Sequence, residues 1–282
     1  MNKGNMLQDK VAVVTGAGSG IGRALALACA SEGMVVVAAD IDAEALVATQ
    51  ALVEATGAAC LAQRCDVSNA ADVERLAEAS WSRWGGVDWL FNNAGVAVLG
   101  AAWDATDDDW QWVLGVNLMG VVHGVRSFLP RMQARGKPAH IINTSSAAGL
   151  ATIAGSAVYC ASKYAVVAFS ECLAKDLEQV GSPIGVSVLC PSLVTTRIDQ
   201  SQRNRPAALP EVGPTAAAYG ERVRAGMAAS AISAEDVARA AVDAIHARRF
   251  YVIPHAHTGA SVRDRSQKIM GDFHHIHQES LQ

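Results

Sequence analysis

The stretch TGAGSGIG at residues 15–22 decides the fold that we predict for this 282-residue chain. It follows the β-branched run VAVVT of residues 11–15 and leads into RALALA at residues 23–28, whose composition favours a helix. Glycine suits such a turn because it adopts positive φ without steric cost and lets backbone N–H groups approach a pyrophosphate at the positive end of a helix. A glycine-rich turn between a strand and a helix therefore predicts a dinucleotide-binding site.

Apolar runs and helical stretches alternate along the first two-thirds of the chain. The runs are continuously apolar, as in parallel strands covered on both faces, and occupy residues 11–15, 34–39, 59–65, 87–91, 140–144 and 185–190. The stretches between them, such as residues 22–31, 72–84 and 158–180, are long enough for right-handed crossover helices. We therefore predict an α/β fold, a single Rossmann-type domain with a doubly wound parallel sheet of about seven strands flanked by helices.

The composition excludes several classes of protein. With 51% hydrophobic and 18% charged residues, the chain is globular rather than disordered. A net charge of -4 without a block of like charge argues against nucleic acid and anionic membranes as partners. Residues 1–10 lack the apolar stretch of a secretion signal, and runs such as residues 34–39 fall short of the about 20 residues that span a bilayer. We expect a cytoplasmic protein.

The cysteines and histidines give little indication of a metal. Six cysteines are scattered without a C-x-x-C pair, which favours reduced, mostly buried thiols. The cluster His274, His275 and His277 lacks a carboxylate or cysteine at ligand spacing, so we expect a flexible or interface tail, over about residues 255–282, and no metal.

Asp40 follows the second apolar run, where an acidic side chain can accept hydrogen bonds from the adenosine ribose hydroxyls and repel a 2′-phosphate. Neither Ser19 nor Ile41 supplies a cation for that phosphate. NAD is therefore expected as the cofactor in preference to NADP. The alternative is that Asp40 caps the following helix, with Asp42 as the competing cap.

Tyr159 and Lys163 are four residues apart and share one face of a predicted helix. A free phenol has a pKa near ~10, and a neighbouring ammonium favours its ionised form. Such a pair alone is more often structural, but beside the phosphate loop it predicts an acid/base group. Ser146, after the run at residues 140–144, would lie at the same edge of the sheet, with Ser145 as the neighbouring candidate.

Taken together, these motifs resemble those of the short-chain dehydrogenase/reductase family over roughly residues 8–255. Besides the glycine turn, the resemblance rests on CDV at residues 65–67, NNAG at residues 92–95, Asn117, and YCASK at residues 159–163. The separation between Ser146 and Tyr159 also matches the family pattern.

The resemblance implies an oxidoreductase that transfers a hydride between NAD(H) and a secondary alcohol or ketone. It implies a catalytic group of Asn117, Ser146, Tyr159 and Lys163, in which Asn117 holds a water in a proton relay to Lys163; from its own position Asn117 would be a solvated helix residue. The implied cofactor-binding residues are Gly16, Gly18, Ser19, Gly20, Ile21, Gly22, Asp40, Ile41, Asp66, Val67, Asn93, Ala94, Gly95, Tyr159, Lys163, Pro191, Val194 and Thr196. An epimerase or dehydratase, and a non-catalytic nucleotide-binding regulator, are the alternatives.

One motif departs from the family, because Ser192 stands where a glycine usually follows the proline, which would shape the nicotinamide loop differently. A proline-interrupted stretch at about residues 192–232 is a candidate substrate loop, and a helix should begin at Ser233. Apolar candidates for a hydrophobic or alicyclic substrate are Val98, Leu150, Ile153 and Leu193, with Trp103 as an aromatic one. The long helices over residues 107–132 and 158–180 are apolar on more than one face, so we expect a homo-oligomer, a tetramer or a dimer.

Overall fold

A computed structural model describes residues 7–279, with side chains as far as Phe273. Its seven-stranded sheet has the order β3-β2-β1-β4-β5-β6-β7, and every neighbouring pair of strands is parallel. The strands are β1 Val11–Thr15, β2 Val35–Asp40, β3 Cys60–Arg64, β4 Trp89–Asn92, β5 Ala139–Thr144, β6 Ile184–Leu189 and β7 Tyr251–Val252. The predicted doubly wound sheet is confirmed.

Helices cover both faces of the sheet. They are α1 Gly20–Ser31, α2 Ala43–Glu54, α3 Ala70–Trp84, α4 Asp107–Leu114, α5 Gly120–Arg135, α6 Ala157–Gln179, α7 Ala216–Ala228, α8 Ala234–His246 and α9 Thr258–Glu279. A π-helical segment, Gly115–Met119, joins α4 to α5. The predicted helix start at Ser233 is confirmed, because Ser233 and Asp236 form a reciprocal capping box at α8.

The core lies in two layers, one on each side of the sheet. Successive residues of β1 face opposite layers, so Val14 packs in the layer that holds Leu25 of α1, and Val13 packs in the layer that holds Phe128 of α5. The side chains of Val13, Val14, Leu25 and Phe128 are all fully buried. This double coverage explains why the strands are continuously apolar.

The order of the strands reverses between β1 and β4, which are neighbours in the sheet although β1 is followed in the chain by β2. Doubly wound sheets bind their ligands at such a switch point, outside the carboxyl ends of the strands. The glycine turn follows β1 and the NNAG stretch follows β4, so the topology brings both to one cleft.

The last third of the chain is more regular than the sequence indicates. The proline-interrupted stretch contains a 3₁₀ segment, Ile198–Asn204, and helix α7. The region expected as a polar tail forms helix α9. The side chains of His274, His275 and His277 lie outside the described residues.

Two helical segments are long and apolar enough to cross a membrane by length and composition, Asp107–Arg135 and Ala157–Gln179. Both pack against the sheet and bury Phe128 and Val166, respectively. Core helices of soluble proteins pass the same test, so this is weak evidence for a membrane span.

Candidate functional site

The glycine turn between β1 and α1 is packed so closely that side chains are excluded. Gly16 and Gly20 adopt φ values of +68° and +50°. A Cβ at Gly22 would lie 2.0 Å from the carbonyl oxygen of Gly16. The backbone N–H groups at the start of α1 therefore face the cleft without side chains in front of them, as a phosphate site requires.

Asp40, the last residue of β2, lies beside this turn. Its Oδ2 accepts a 2.8 Å hydrogen bond from the N–H of Gly18, and its Oδ1 accepts one of 3.0 Å from the N–H of Asp42. Asp42, not Asp40, caps α2 by accepting from the N–H of Ala45. The capping alternative for Asp40 is therefore wrong, and its carboxylate is oriented at the cleft.

A cleft of about 720 Å³ runs from this turn across the carboxyl edge of the sheet. Nearly all of the predicted cofactor residues line it: Gly16, Ser19, Gly20, Ile21, Gly22, Asp40, Ile41, Asp66, Val67, Asn93, Ala94, Gly95, Tyr159, Lys163, Pro191, Val194 and Thr196. Gly18 does not line the cleft. It acts on the site through its contact with Asp40.

The NNAG stretch joins the turn to the centre of the sheet. The hydroxyl of Thr15 accepts hydrogen bonds from the N–H groups of Asn93, at 2.9 Å, and Ala94, at 3.1 Å. The Nδ2 of Asn93 donates to the carbonyl of Thr15 at 3.0 Å. Between β4 and β5, the Nδ2 of Asn92 donates to Oδ1 of Asn143 at 2.9 Å. These bonds fix the floor of the cleft to β1 and β5.

Tyr159 and Lys163 lie on the first turns of α6 and both line the cleft. The Lys163 ammonium is buried, 5.7 Å from the centre of the Tyr159 ring, and donates a 2.9 Å hydrogen bond to the carbonyl of Thr144. The predicted neighbourhood of cation and phenol is thus present, and the lysine is also anchored to β5.

In the protein without a cofactor, the pKa of Tyr159 is not depressed, so a lowered pKa beside a bound nicotinamide stays a prediction. Burial raises the pKa of Tyr159 to about 12, against a smaller lowering by a hydrogen bond with Ser146. Burial also lowers the pKa of Lys163 to about 8. Desolvation is the largest influence on the pKa of both groups, and spacing along a helix does not reveal it.

Ser146 is the better of the two serine candidates. It lines the cleft, and its Oγ hydrogen-bonds to Tyr159 and donates to the carbonyl of Pro191 at 3.2 Å. The Oγ of Ser145 instead donates to the carbonyl of Lys163 at 2.8 Å, which secures α6 to the end of β5. Ser145 therefore supports the lysine, and Ser146 faces the phenol.

Asn117 is fully buried in the π-helical segment, so its interpretation as a solvated helix residue is wrong. Its Oδ1 accepts from the N–H of Val96 at 2.8 Å, and its Nδ2 donates to the carbonyl of Val96 and to Oγ of Ser162. A Cβ added at Gly95 would lie 3.3 Å from Oδ1 of Asn117 and 3.4 Å from Nζ of Lys163. Asn117 thus lies near Lys163, behind the wall of the cleft.

The loop after β6 is held by two histidines that the sequence did not single out. His255, only 5% exposed, accepts at Nδ1 from the N–H of Ser192 at 3.1 Å, and its Nε2 is 3.2 Å from the carbonyl oxygen of Leu193. Nε2 of His257 lies 3.0 Å from Oγ of Ser192. Because the carbonyl is an acceptor only, His255 is the neutral tautomer protonated at Nε2.

Serine is accommodated at this position because Ser192 does not adopt a positive φ. Thr196, farther along the loop, packs against the glycine turn, where a Cβ at Gly20 would lie 3.0 Å from its Cβ. The loop therefore keeps Val194 and Thr196 at the cleft although the usual glycine is absent.

The side of the cleft next to α7 is largely apolar, and it is the side where we expect the substrate. Ile153 and Leu193 line it as expected, together with Trp112, Tyr219 and Met227, which were not predicted as substrate contacts. The other candidates do not line the cleft. Trp103 is 85% exposed and does not line the cleft, Val98 is buried beneath α4, and Leu150 packs beside β6.

Arg203 lies at the cofactor end of the cleft, where the sequence suggested no cation. The charges of Asp40 and Asp42 act on it, although desolvation is the largest influence and lowers its pKa. Arg203 is far from Asp40 in the sequence, so the sequence did not indicate that the two side chains lie close together. Among the described residues, no group of three or more histidine, cysteine, aspartate or glutamate side chains is arranged to hold a metal ion.

Comparisons with known proteins agree with this geometry. The family described as short chain dehydrogenase matches residues 10–207. A short chain dehydrogenase/reductase from Burkholderia phymatum, crystallised in complex with NAD, is 43% identical and superposes with a TM-score of 0.92, covering 94% of this chain and 96% of that one.

Two curated relatives are also similar over most of their length. The 1-deoxy-11-beta-hydroxypentalenate dehydrogenase of Streptomyces exfoliatus is 38% identical, covering 92% of this chain and 88% of the relative. The CLA biosynthesis dehydrogenase/reductase of Lactiplantibacillus plantarum is 32% identical, covering 94% of each. The chain therefore belongs to the short-chain dehydrogenase/reductase family of oxidoreductases, which bind a nicotinamide cofactor and act on small molecules.

Proposed function

We propose that this protein is an NAD-dependent dehydrogenase/reductase that interconverts an apolar secondary alcohol and its ketone, using Ser146, Tyr159, Lys163 and Asn117. The observation that carries the proposal is the convergence of Tyr159 and Ser146 on the cleft that also holds the glycine turn and Asp40. A cofactor and a hydroxyl-bearing substrate can meet there within reach of the phenol.

The cleft fits a dinucleotide. The glycine turn leaves room for a pyrophosphate at the N-terminus of α1, and Asp40 offers carboxylate oxygens at the end of β2. Asp66, Val67, Val194 and Thr196 also line the cleft. In this proposal the first two contact the adenine and the last two contact the carboxamide. The bound cofactor accepts or supplies the hydride. Asp40 favours NAD over NADP because its charge repels a 2′-phosphate.

The residues of this chain supply the proton chemistry. Ser146 hydrogen-bonds the substrate oxygen and orients the phenol of Tyr159. Tyr159 takes the hydroxyl proton during oxidation and returns it to the carbonyl oxygen during reduction. Because burial raises the pKa of Tyr159 to about 12, its ionisation depends on positive charge brought close to it. Lys163 supplies part of that charge, and Asn117 positions the proton path behind it.

The substrate is proposed to be hydrophobic or alicyclic. Ile153, Leu193, Trp112 and Met227 line its side of the cleft and would bury an apolar skeleton. The name of the Streptomyces relative specifies a hydroxylated substrate, which is consistent with a secondary alcohol. We further propose a cytoplasmic homo-oligomer built from one domain, in which residues of about 192–232 form the substrate loop.

The proposal is tested by assaying secondary alcohols and ketones with NAD(H) and NADP(H), following the absorbance of the reduced cofactor. The wild-type protein should turn over apolar alicyclic substrates with NAD. Tyr159→Phe should bind NAD within about two-fold of wild type but lose at least ~100-fold in kcat, because it removes one hydroxyl from the proton path. A Tyr159→Phe variant that retains a tenth of the wild-type kcat would exclude Tyr159 as the acid/base group. Cofactor binding without turnover of any substrate would favour a nucleotide-binding regulator.

A further inference from the structure

Helix α7 closes the substrate side of the cleft and presents two arginines there, Arg222 and Arg224. We propose that the substrate carries a carboxylate at the end of its apolar skeleton, and that these two arginines bind it. The inference rests on the proposed function, because it concerns the same cleft and the same reacting alcohol.

α7 is fixed at both ends, so its arginines have a defined place over the cleft. At its start, the hydroxyl of Thr215 accepts from the N–H of Ala101 at 2.8 Å and donates to Oδ2 of Asp104 at 2.6 Å. At its end, the hydroxyl of Thr195 donates to the carbonyl of Met227 at 2.9 Å. The helix therefore bridges the loop after β4 and the nicotinamide loop.

Arg222 is held near the catalytic helix through an aromatic ring. Its guanidinium carbon lies 4.3 Å from the centre of the Tyr219 ring, a cation–π distance. That ring packs directly on Gly155, where a Cβ would lie 1.9 Å from Cδ1 of Tyr219. Gly155 lies in the turn that precedes α6, four residues before Tyr159 in the sequence. The stack of Gly155, Tyr219 and Arg222 thus holds the cation at the cleft that Tyr159 also lines.

Neither arginine has an ion-pair partner among the residues whose side chains the structure describes. Arg205, in the same region, is by contrast paired with the buried Asp109 at 2.7 Å. The carboxylates that line the cleft are Asp40 and Asp66 at the cofactor end and Asp199, whose charge acts on Arg203. The positive charge of α7 is therefore left for a ligand.

The chemistry of the two arginines selects the ligand group. A guanidinium offers paired N–H donors that match a carboxylate, and it gives up hydration more readily than an ammonium. A cleft whose substrate side is largely apolar, with two guanidinium groups from α7 at its rim, suits a molecule that is hydrophobic near the reacting hydroxyl and anionic at its far end. A sugar or a neutral terpenoid alcohol would leave the guanidinium groups without a partner.

The test compares a medium-chain fatty acid bearing a secondary hydroxyl with its methyl ester, which keeps the skeleton and removes the charge. Both are oxidised with NAD, and the ratio of their kcat/KM values is measured. We expect the acid to be favoured roughly ten-fold by the wild-type protein, the effect of one charge-assisted contact. Its KM should rise with ionic strength while that of the ester stays constant, because salt screens exposed charges.

In the variant Arg222→Gln with Arg224→Gln, the preference for the acid should fall to within about two-fold. The matched control is Arg239→Gln, on the neighbouring helix α8, which does not line the cleft and should retain the wild-type ratio. Thermal unfolding of each variant, followed by circular dichroism, identifies any loss of fold.

An ester turned over as well as the acid by the wild-type protein would overturn the carboxylate inference while leaving the proposed function intact. An undiminished preference in the double variant would also overturn it. Should neither compound be oxidised, the proposed function fails for this skeleton, and calorimetric binding of acid against ester to the protein with NADH decides the inference. Equal affinities would then exclude it, and a preference for the acid that the double variant loses would support it.

Discussion

Burial of the Lys163 ammonium lowers its pKa from 10.5 to about 8, so the folded chain binds that proton less tightly than the unfolded chain does. The cost to stability is fully present below pH 8 and declines as the pH rises towards 10.5. With about 1.36 kcal/mol per pKa unit, the cost is on the order of 3 kcal/mol, part of which the hydrogen bond to Thr144 offsets. The site thus holds a charge that the fold alone would not favour.

Replacement of this charge should therefore stabilise the protein while it abolishes activity. We expect Lys163→Met to raise the free energy of unfolding at pH 7 by about 1 to 2 kcal/mol, measured by urea denaturation without cofactor. The gain should shrink as the pH is raised above 8. Lys175→Met, at an exposed position of the same helix, is the control and should change stability little. A destabilised Lys163→Met protein would contradict this account.

His255 positions two consecutive residues of the nicotinamide loop, and His255→Ala should raise the KM for NAD by roughly ten-fold, because two backbone groups lose their partner. His255→Asn offers one acceptor and one donor and should restore most of the affinity. Burial, aided by the charge of His257, lowers the pKa of His255, so it is neutral at pH 7.

The pH dependence separates this role from a purely structural one. Protonation of Nδ1 of His255 would place its N–H opposite the N–H of Ser192, so the hydrogen bond between them would be lost. In the wild-type protein, the KM for NAD should therefore rise as the pH falls through the lowered pKa of His255. The His255→Asn variant should lack this rise. If steady-state kinetics showed the same rise of the KM for NAD at low pH in the wild type and in His255→Asn, His255 would be excluded as its origin.

At the level of elements, the sequence predicted the positions of the strands and the parallel sheet well. Each of these strands is a continuous apolar run bounded by a turn. The glycine turn could be placed for the same reason. Asn117 could not be placed, since its burial depends on the π-helical segment and on Val96 from another loop. His255 and Arg203 were missed because their partners are distant in the chain and are brought together only by the fold.

The glycine turn allows a paired test of close packing. Gly22→Ala would place a Cβ 2.0 Å from the carbonyl of Gly16, so we expect a loss of about 1 to 3 kcal/mol in stability and a strongly weakened affinity for NAD. Gly271→Ala, on helix α9, meets no atom within 4 Å and should stabilise by about 0.5 to 1 kcal/mol. Urea denaturation and NAD titration measure both. Equal effects of the two substitutions would contradict the packing argument.

At the level of the whole molecule, parts of the long helices remain uncovered. Met119, beside α5, is 38% exposed, and Val180, at the end of α6, is 68% exposed. Association with a second copy along these helices would remove such apolar side chains from water. We expect a tetramer or a dimer by light scattering at micromolar concentration. A monomer under these conditions would be incompatible with that expectation.

The loops after β1, β2, β4 and β6 all line the cleft, so a cofactor bound there would contact all four of them. Its binding should therefore stabilise the whole fold. NAD at a hundred times its Kd is expected to add about 2.7 kcal/mol and to raise Tm by about 5 °C. NADP at the same concentration should stabilise less, because the carboxylate of Asp40 repels its 2′-phosphate. Asp40→Ala should reduce the difference, and the nearby Arg203 would then favour NADP.

Asp42→Ala is the matched control for this experiment. It removes the cap of α2 and should lower Tm, but it leaves Asp40 in place and should preserve the difference between the two cofactors. Differential scanning fluorimetry of the three proteins with each cofactor gives both quantities. If NADP stabilised the wild-type protein as strongly as NAD, Arg203 rather than Asp40 would govern the choice of cofactor, since their opposite charges lie at the same end of the cleft.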